Sequence, residues 1–209
     1  MKRREYAWML LAAVCLPALI GCPISNLVSP DMRTVEREVN LDGKTVTVIP
    51  FKDQRQPYFE SADGMDLAQA VSAQFRMHVP TTRVVSPQPI REKYEPLELE
   101  KVGVDKLGEA TGAQLILVGD IKQFTVQDPN SIGVLRGTCQ VDLLLFDTAT
   151  RKQLWTRSLT IHYPEVGMVP EGDLSRATMR ERLIAAASDE IARKFYTYKE
   201  PDRPPRMPM

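Results

Sequence analysis

The stretch AQLILVGDIKQFTV, Ala113–Val126, decides the fold. Leu115–Val118 are apolar at four consecutive positions, so an extended chain here is hydrophobic on both faces, as a strand inside a sheet must be. The next segment, VLRGTCQVDLLLFD (Val134–Asp147), alternates. Cys139, Val141, Leu143 and Leu145 share one face, and Thr138, Gln140 and Asp142 share the other. QLWTRSLTIHY, Gln153–Tyr163, reads as a further strand. The links DPNSIG and TATRK are short, so the three strands are predicted to form an antiparallel meander.

Upstream, KTVTVIPF (Lys44–Phe51) is β-branched and extended until Pro50. Val35, Arg37 and Val39 alternate before Asp42-Gly43, which predicts a short hairpin feeding this strand. Leu67, Ala70, Val71, Gln74 and Phe75 recur at three and four, predicting an amphipathic helix over Met65–His78. TRVVSP is a short strand, QPIREKYEPLELEKV a short helix and loop, and DKLGEATG a helix closing on Gly112. The last helix carries Leu183, Ile184, Ala187, Ile191, Phe195 and Tyr198 on one stripe. Asp173 is its predicted N-cap. The order β, α, β, α, three strands, α gives an α/β fold: a mixed sheet containing the meander, with helices on one face.

VTVIPFKDQR, RVVSP, LGEATGAQLILVGDIKQF and VDLLLFDTATRKQLW follow one another in an order that resembles the curli-secretion lipoprotein family and the amino-terminal domain of TolB-like proteins. The resemblance covers most of Val46–Trp155. It implies an anticodon-binding-like α/β sandwich and membership among envelope proteins that bind other proteins, assemble secretion channels or regulate peptidoglycan synthesis. The channel-forming members insert long amphipathic hairpins. Here QDPNSIG and TATRK are too short for extra spanning strands of about 9–11 residues each, which argues against a pore built by this chain alone.

The amino end supplies an address. Lys2, Arg3 and Arg4 precede an uncharged run, Ala7–Ile20, that holds Pro17. A membrane-spanning helix needs about 20 apolar residues, so the run reads as a secretory signal. It ends in Leu19-Ile20-Gly21-Cys22, which resembles the bacterial lipobox. That resemblance implies cleavage between Gly21 and Cys22, a diacylglyceryl group on the Cys22 sulfur, and an acyl chain such as palmitate on the new amine. Pro23 follows the cysteine instead of aspartate, which by the same resemblance implies the outer membrane, facing the periplasm. The expected organisation is a signal peptide over 1–21, a lipidated tether over 22–34, one α/β domain over 35–198 and a Pro-rich tail over 199–209.

The full chain balances 27 basic against 27 acidic residues, and loss of three basic and one acidic with residues 1–21 leaves 24 and 26. This near-neutral balance offers no footprint for nucleic acid. With Cys15 removed and Cys22 lipidated, only Cys139 remains, so the domain must be held by its core instead of a disulfide. Cys139 itself reads as a small buried hydrophobe.

No phosphate-cradling glycine loop, G-x-S-x-G turn or zinc spacing is present, so no cofactor is expected. His78 and His162 stand alone, and Glu92, Glu95, Glu98 and Glu100 alternate with lysines as on a solvated surface. Two loops are candidate contact surfaces. FKDQRQPYFES carries Asp53, Arg55, Tyr58 and Phe59 beyond the carboxyl end of the first main strand. PEVGMVPEG carries Val166, Met168 and Val169. The leading expectation is a non-catalytic, lipid-anchored scaffold in envelope assembly or maintenance. Its partners would be envelope proteins or the peptidoglycan-synthesis or secretion machinery. A homo-oligomeric secretion subunit and a periplasmic hydrolase are the alternatives.

Overall fold

Val and Thr dominate Thr45–Val48 (β2), and their branched side chains suit a pleated, buried surface. The computed structural model describes residues 32–55, 61–94, 101–127 and 131–202. Around β2 it places β1 (Met32–Val35), β3 (Lys52–Asp53), α1 (Ala62–His78), β4 (Arg83–Val85), α2 (Gln88–Lys93) and α3 (Val104–Thr111). β5 (Leu115–Thr125), β6 (Val134–Leu135), β7 (Gly137–Asp147), β8 (Gln153–Tyr163), β9 (Val169–Pro170), α4 (Arg176–Ala192) and β10 (Tyr198–Pro201) follow.

The main sheet runs β4-β2-β5-β7-β8, with β3 paired beside β5. β2 is parallel to β4 and β5, whereas β5, β7 and β8 form the antiparallel meander. The fold is therefore the mixed α/β arrangement expected. A register shift between Ile121 and Gln123 changes the parity of β5. Leu115, Leu117 and Ile121 point to the larger core before it, and Phe124, opposite Cys139, does so after it.

Helices cover both faces, not one. α1 and α4 bury Leu67, Val71, Phe75, Leu183, Ala187 and Ile191 with Val46, Val48 and the meander's alternating residues. Phe195 meets Phe75 and Trp155 edge-on at 5.0 Å each. α2 and α3 bury Ile90 and Leu107 against Ile49 and Ile116 on the opposite face. Val46 and Val48 on one face and Ile49 on the other, like the apolar run Leu115–Val118, are apolar for this reason. Beyond α3 that face is polar: Gln140, Ser158 and Thr160 are exposed, and Ser158 Oγ donates to Asp142 at 2.6 Å.

Caps fix the helix ends. Ser61 accepts from the Gly64 N–H at 2.9 Å, and Ser175 from Thr178 N–H at 3.1 Å. The N-cap of α4 is thus Ser175, whose hydroxyl accepts the Thr178 N–H, and not Asp173, which lies two residues earlier in a turn on Pro170 O. Gly112 ends α3 in the left-handed region (φ 69°), as its sequence position implies. Phe51 sets the path beyond β2. Its ring lies over Gly119, where a Cβ would stand 2.5 Å away, and its carbonyl lies against Gly64.

Among the described residues, 34–198 form one compact unit, and 32–33 with 199–202 belong to a second. β1 pairs with β10 in a two-stranded sheet, where Arg33 Nε donates to Glu200 at 2.8 Å. The hairpin expected before β2 does not form, since β1 takes this distant partner. The segment expected as a tail instead begins with a strand. The turn at Asp42-Gly43 is present, with Gly43 at φ 70°.

Candidate functional site: an apolar loop tip

Two loops were singled out by sequence, and the fold treats them differently. β3 pairs Asp53 with Ile121 of β5, which points the Asp53 side chain into the protein, where it is 0% exposed. Arg55 wraps back onto it. Its backbone N–H and Nε each donate to Asp53 Oδ1 at 2.9 Å, and Nη2 donates to Oδ2 at 2.5 Å. Nη2 also reaches Asp63 of α1 at 2.9 Å, and Nη1 donates to the Phe124 carbonyl. Arg180 of α4 continues the chain of charge, with 2.7 Å bonds to both Asp63 and Asp66.

Three carboxylates and two guanidiniums therefore staple the β3 loop to α1, and α1 to α4. Burial pushes the Asp53 carboxyl up, but the hydrogen bonds and charge of Arg55 outweigh it and hold Asp53 below the ordinary carboxylate range. The hydrogen bond to Asp53 raises Arg55, burial opposes this, and Asp63 adds to the rise. Asp53 and Arg55 are thus occupied within the fold. Tyr58, Phe59, Gly21 and Cys22 lie outside the described residues.

The second loop points outward. β8 ends at Tyr163, and Val169–Pro170 then pairs with Val134–Leu135. This small ladder holds the β8–α4 loop beside the β5–β7 loop, and Ser131 Oγ lies 3.8 Å from Met168 Sδ. Val166 is 84% exposed, Met168 46% and Ile132, on the adjoining loop, 98%. Val169 is half-buried in the ladder. Single exposed hydrophobes are ordinary, and here three large ones stand on two neighbouring loops. A polar rim adjoins it. Arg176 bonds Glu171 and Gln127 at 2.7 Å, and Gln127 Nε2 donates to Ser131 O at 2.9 Å. Sequence reading found Val166 and Met168 and missed Ile132. Its signal was an isoleucine beside Gly133 in a turn, a place with no reason to carry a large apolar side chain.

The other titratable candidates serve the fold. His78 stacks on Tyr196 at 4.5 Å, and His162 Nδ1 lies 3.1 Å from Thr138 Oγ1. Cys139 is buried, and burial, aided by the charge of Asp63, pushes its thiol up to about 12. Glu92 accepts from Gln88 at 3.2 Å. Among the described residues no group of His, Cys, Asp and Glu is arranged to hold a metal ion, and no helix is long and apolar enough to cross a membrane.

No family model and no curated protein matches the sequence. Solved structures that are similar include lipoprotein GNA1162 from Neisseria meningitidis, at 17% identity and a TM-score of 0.47 over 71% of this chain and 98% of that one. The PelC dodecamer from Paraburkholderia phytofirmans is 12% identical, with a TM-score of 0.45 over 79% and 97%. The LpoB C-terminal domain from Escherichia coli is 12% identical, with a TM-score of 0.37 over 58% and 84%.

Proposed function

We propose that this protein is a lipid-anchored lipoprotein of the bacterial outer membrane, facing the periplasm, that binds an envelope protein through its apolar tip and performs no covalent chemistry. The observation that carries this reading is the exposure of Ile132, Val166 and Met168 on two loops held together. The sequence Leu19-Ile20-Gly21-Cys22 supports the anchor. One acyl chain binds a membrane only reversibly, whereas a diacylglyceryl group plus an amide-linked chain holds stably. Residues 1–21 leave as the signal, and the segment after Cys22 tethers the domain. Partner-binding through the tip suits envelope assembly or maintenance, because a tethered module searches a limited volume at high effective concentration.

Cross-linking in living cells followed by mass spectrometry tests this. The wild type is expected to capture a defined envelope protein, and an Ile132→Ser/Val166→Ser/Met168→Ser variant to lose it while remaining folded. Equal capture by both proteins would contradict the reading. Metabolic labelling with a fatty acid tests the anchor: label is expected on the wild type and absent from Cys22→Ser.

One observation favours a second reading. β8 is an 11-residue strand at the edge of the main sheet, and such edges pair readily with another chain. A homo-oligomeric subunit of a secretion apparatus would give a high-mass species in detergent by light scattering, and a monomer would remove this reading.

A further inference from the structure

A cleft lined by none of the tip residues is independent of the apolar tip. The chain leaves β2 toward the face covered by α1 and leaves β4 toward the face covered by α2 and α3. Adjacent parallel strands whose connections depart to opposite faces leave a crevice at their carboxyl ends, the place where open α/β sheets bind ligands. A cleft of about 310 Å³ lies there, between α1 and the start of α2. This is the small end of the range for ligand sites and fits a molecule the size of one sugar or amino acid.

Its lining is chemically one-sided. Arg76 of α1 and Arg91 of α2 are the charged residues, and no acidic side chain lines it among the described residues. Ser72, Ser86, Gln69 and Gln88 add hydroxyls and carboxamides. Ser72 and Ser86 are partly used, Ser72 donating to Ala68 O at 2.8 Å and Ser86 accepting from the Gln88 N–H at 3.1 Å. Val48 and Met65 give an apolar floor. Arg76 is exposed and forms no ion pair among the described residues, in contrast to Arg55 and Arg180. Guanidinium forks match planar carboxylates and phosphate oxygens, and hydroxyls and amides match the hydroxyls of a sugar.

We propose that this cleft binds a small oxyanion-bearing ligand, a carboxylate or phosphate on a hydroxylated body of single-sugar size, with Arg76 as its principal charge partner. The test titrates the full-length lipidated protein in detergent, at constant ionic strength, with glucose 6-phosphate, glucuronate and glucose, using calorimetry. In parallel, phenylglyoxal modification of arginines is mapped by mass spectrometry. Saturable binding of either anionic sugar but not of glucose is expected, with Arg76 and Arg91 protected and the exposed Arg157 still reactive. The tighter of the two sugars identifies phosphate or carboxylate as the recognised group. Arg76→Gln is expected to weaken binding about tenfold, and Arg76→Lys less. Protection is read on the wild-type protein, so the proposal does not depend on a variant's folding. Absent binding, equal binding of glucose, or equal protection of Arg157 would overturn it.

Discussion

The Asp53 loop and the Val166 loop have similar sequence credentials and opposite fates. Both join regular elements, and both carry side chains suited to an interface. Asp53 and Arg55 turn inward because they complement each other and because Asp63 of α1 and the Phe124 carbonyl receive the rest of the Arg55 guanidinium. Val166 and Met168 stay exposed on a loop pinned by the β6–β9 ladder. Loop composition alone therefore does not identify a contact surface. What separates the two is whether the rest of the fold satisfies the loop.

The widest test of this difference is stability. Asp53→Ala leaves Arg55 without its main partner and is expected to cost about 2–3 kcal/mol in urea unfolding. That is less than the ~3–5 kcal/mol of a fully buried pair, because Arg55 is 37% exposed. Replacing both partners with apolar residues, Asp53→Leu/Arg55→Met, should recover part of that loss. A neutral result for Asp53→Ala would return the loop to the surface.

Arg180→Met comes next. It removes two charge-assisted bonds between α4 and α1 at a partly exposed position, for an expected loss of about 1–2 kcal/mol by the same measurement.

A smaller effect appears with pH. Asp53 in the folded state sits below its unfolded value of about 3.9, so its contribution is complete above about pH 4 and fades as pH falls through the folded value. Unfolding measured at descending pH should show a shallower acid loss for Asp53→Asn than for the wild type. Parallel curves would mean that Asp53 is not held by Arg55.

The smallest stability effect belongs to the tip. Ile132→Ser, Val166→Ser and Met168→Ser are each expected to change stability by less than about 0.5 kcal/mol, as for surface positions outside the packed interior. A large loss would show that the tip serves the fold.

Much of the architecture was legible because local pattern and burial agree. Four consecutive apolar residues at Leu115–Val118 did mark an interior strand, and the parity of Cys139, Val141, Leu143 and Leu145 did mark a buried face. What was not legible depends on distant partners. Val35 and Val39 alternate like hairpin residues, yet β1 pairs with β10 near the opposite end of the chain. The stripe ending in Phe195 and Tyr198 reads as one helix, but α4 stops at Ala192 and Phe195 reaches the core from beyond it. The second helical face was implied by apolar Ile49 and Ile116, whose neighbours belong to charged, Pro-broken sequence where periodicity is weak. At the candidate site the same rule held. The exposed apolar residues of the loop could be read from Val166 and Met168, whereas the inward turn of Arg55 depends on a carboxylate at position 63 and a carbonyl at position 124.

The most direct measurement is site-specific photo-cross-linking in living cells. A photoreactive amino acid replaces Ile132 or Val166 in the tip, Gln54 in the inward-turned loop's chain, or Gln140 on the open polar face. Adducts to one envelope protein from positions 132 and 166, absent from 54 and 140, are the expected result. Equal adducts from all four positions, or adducts confined to 54, would contradict the assignment of the apolar tip as the contact surface.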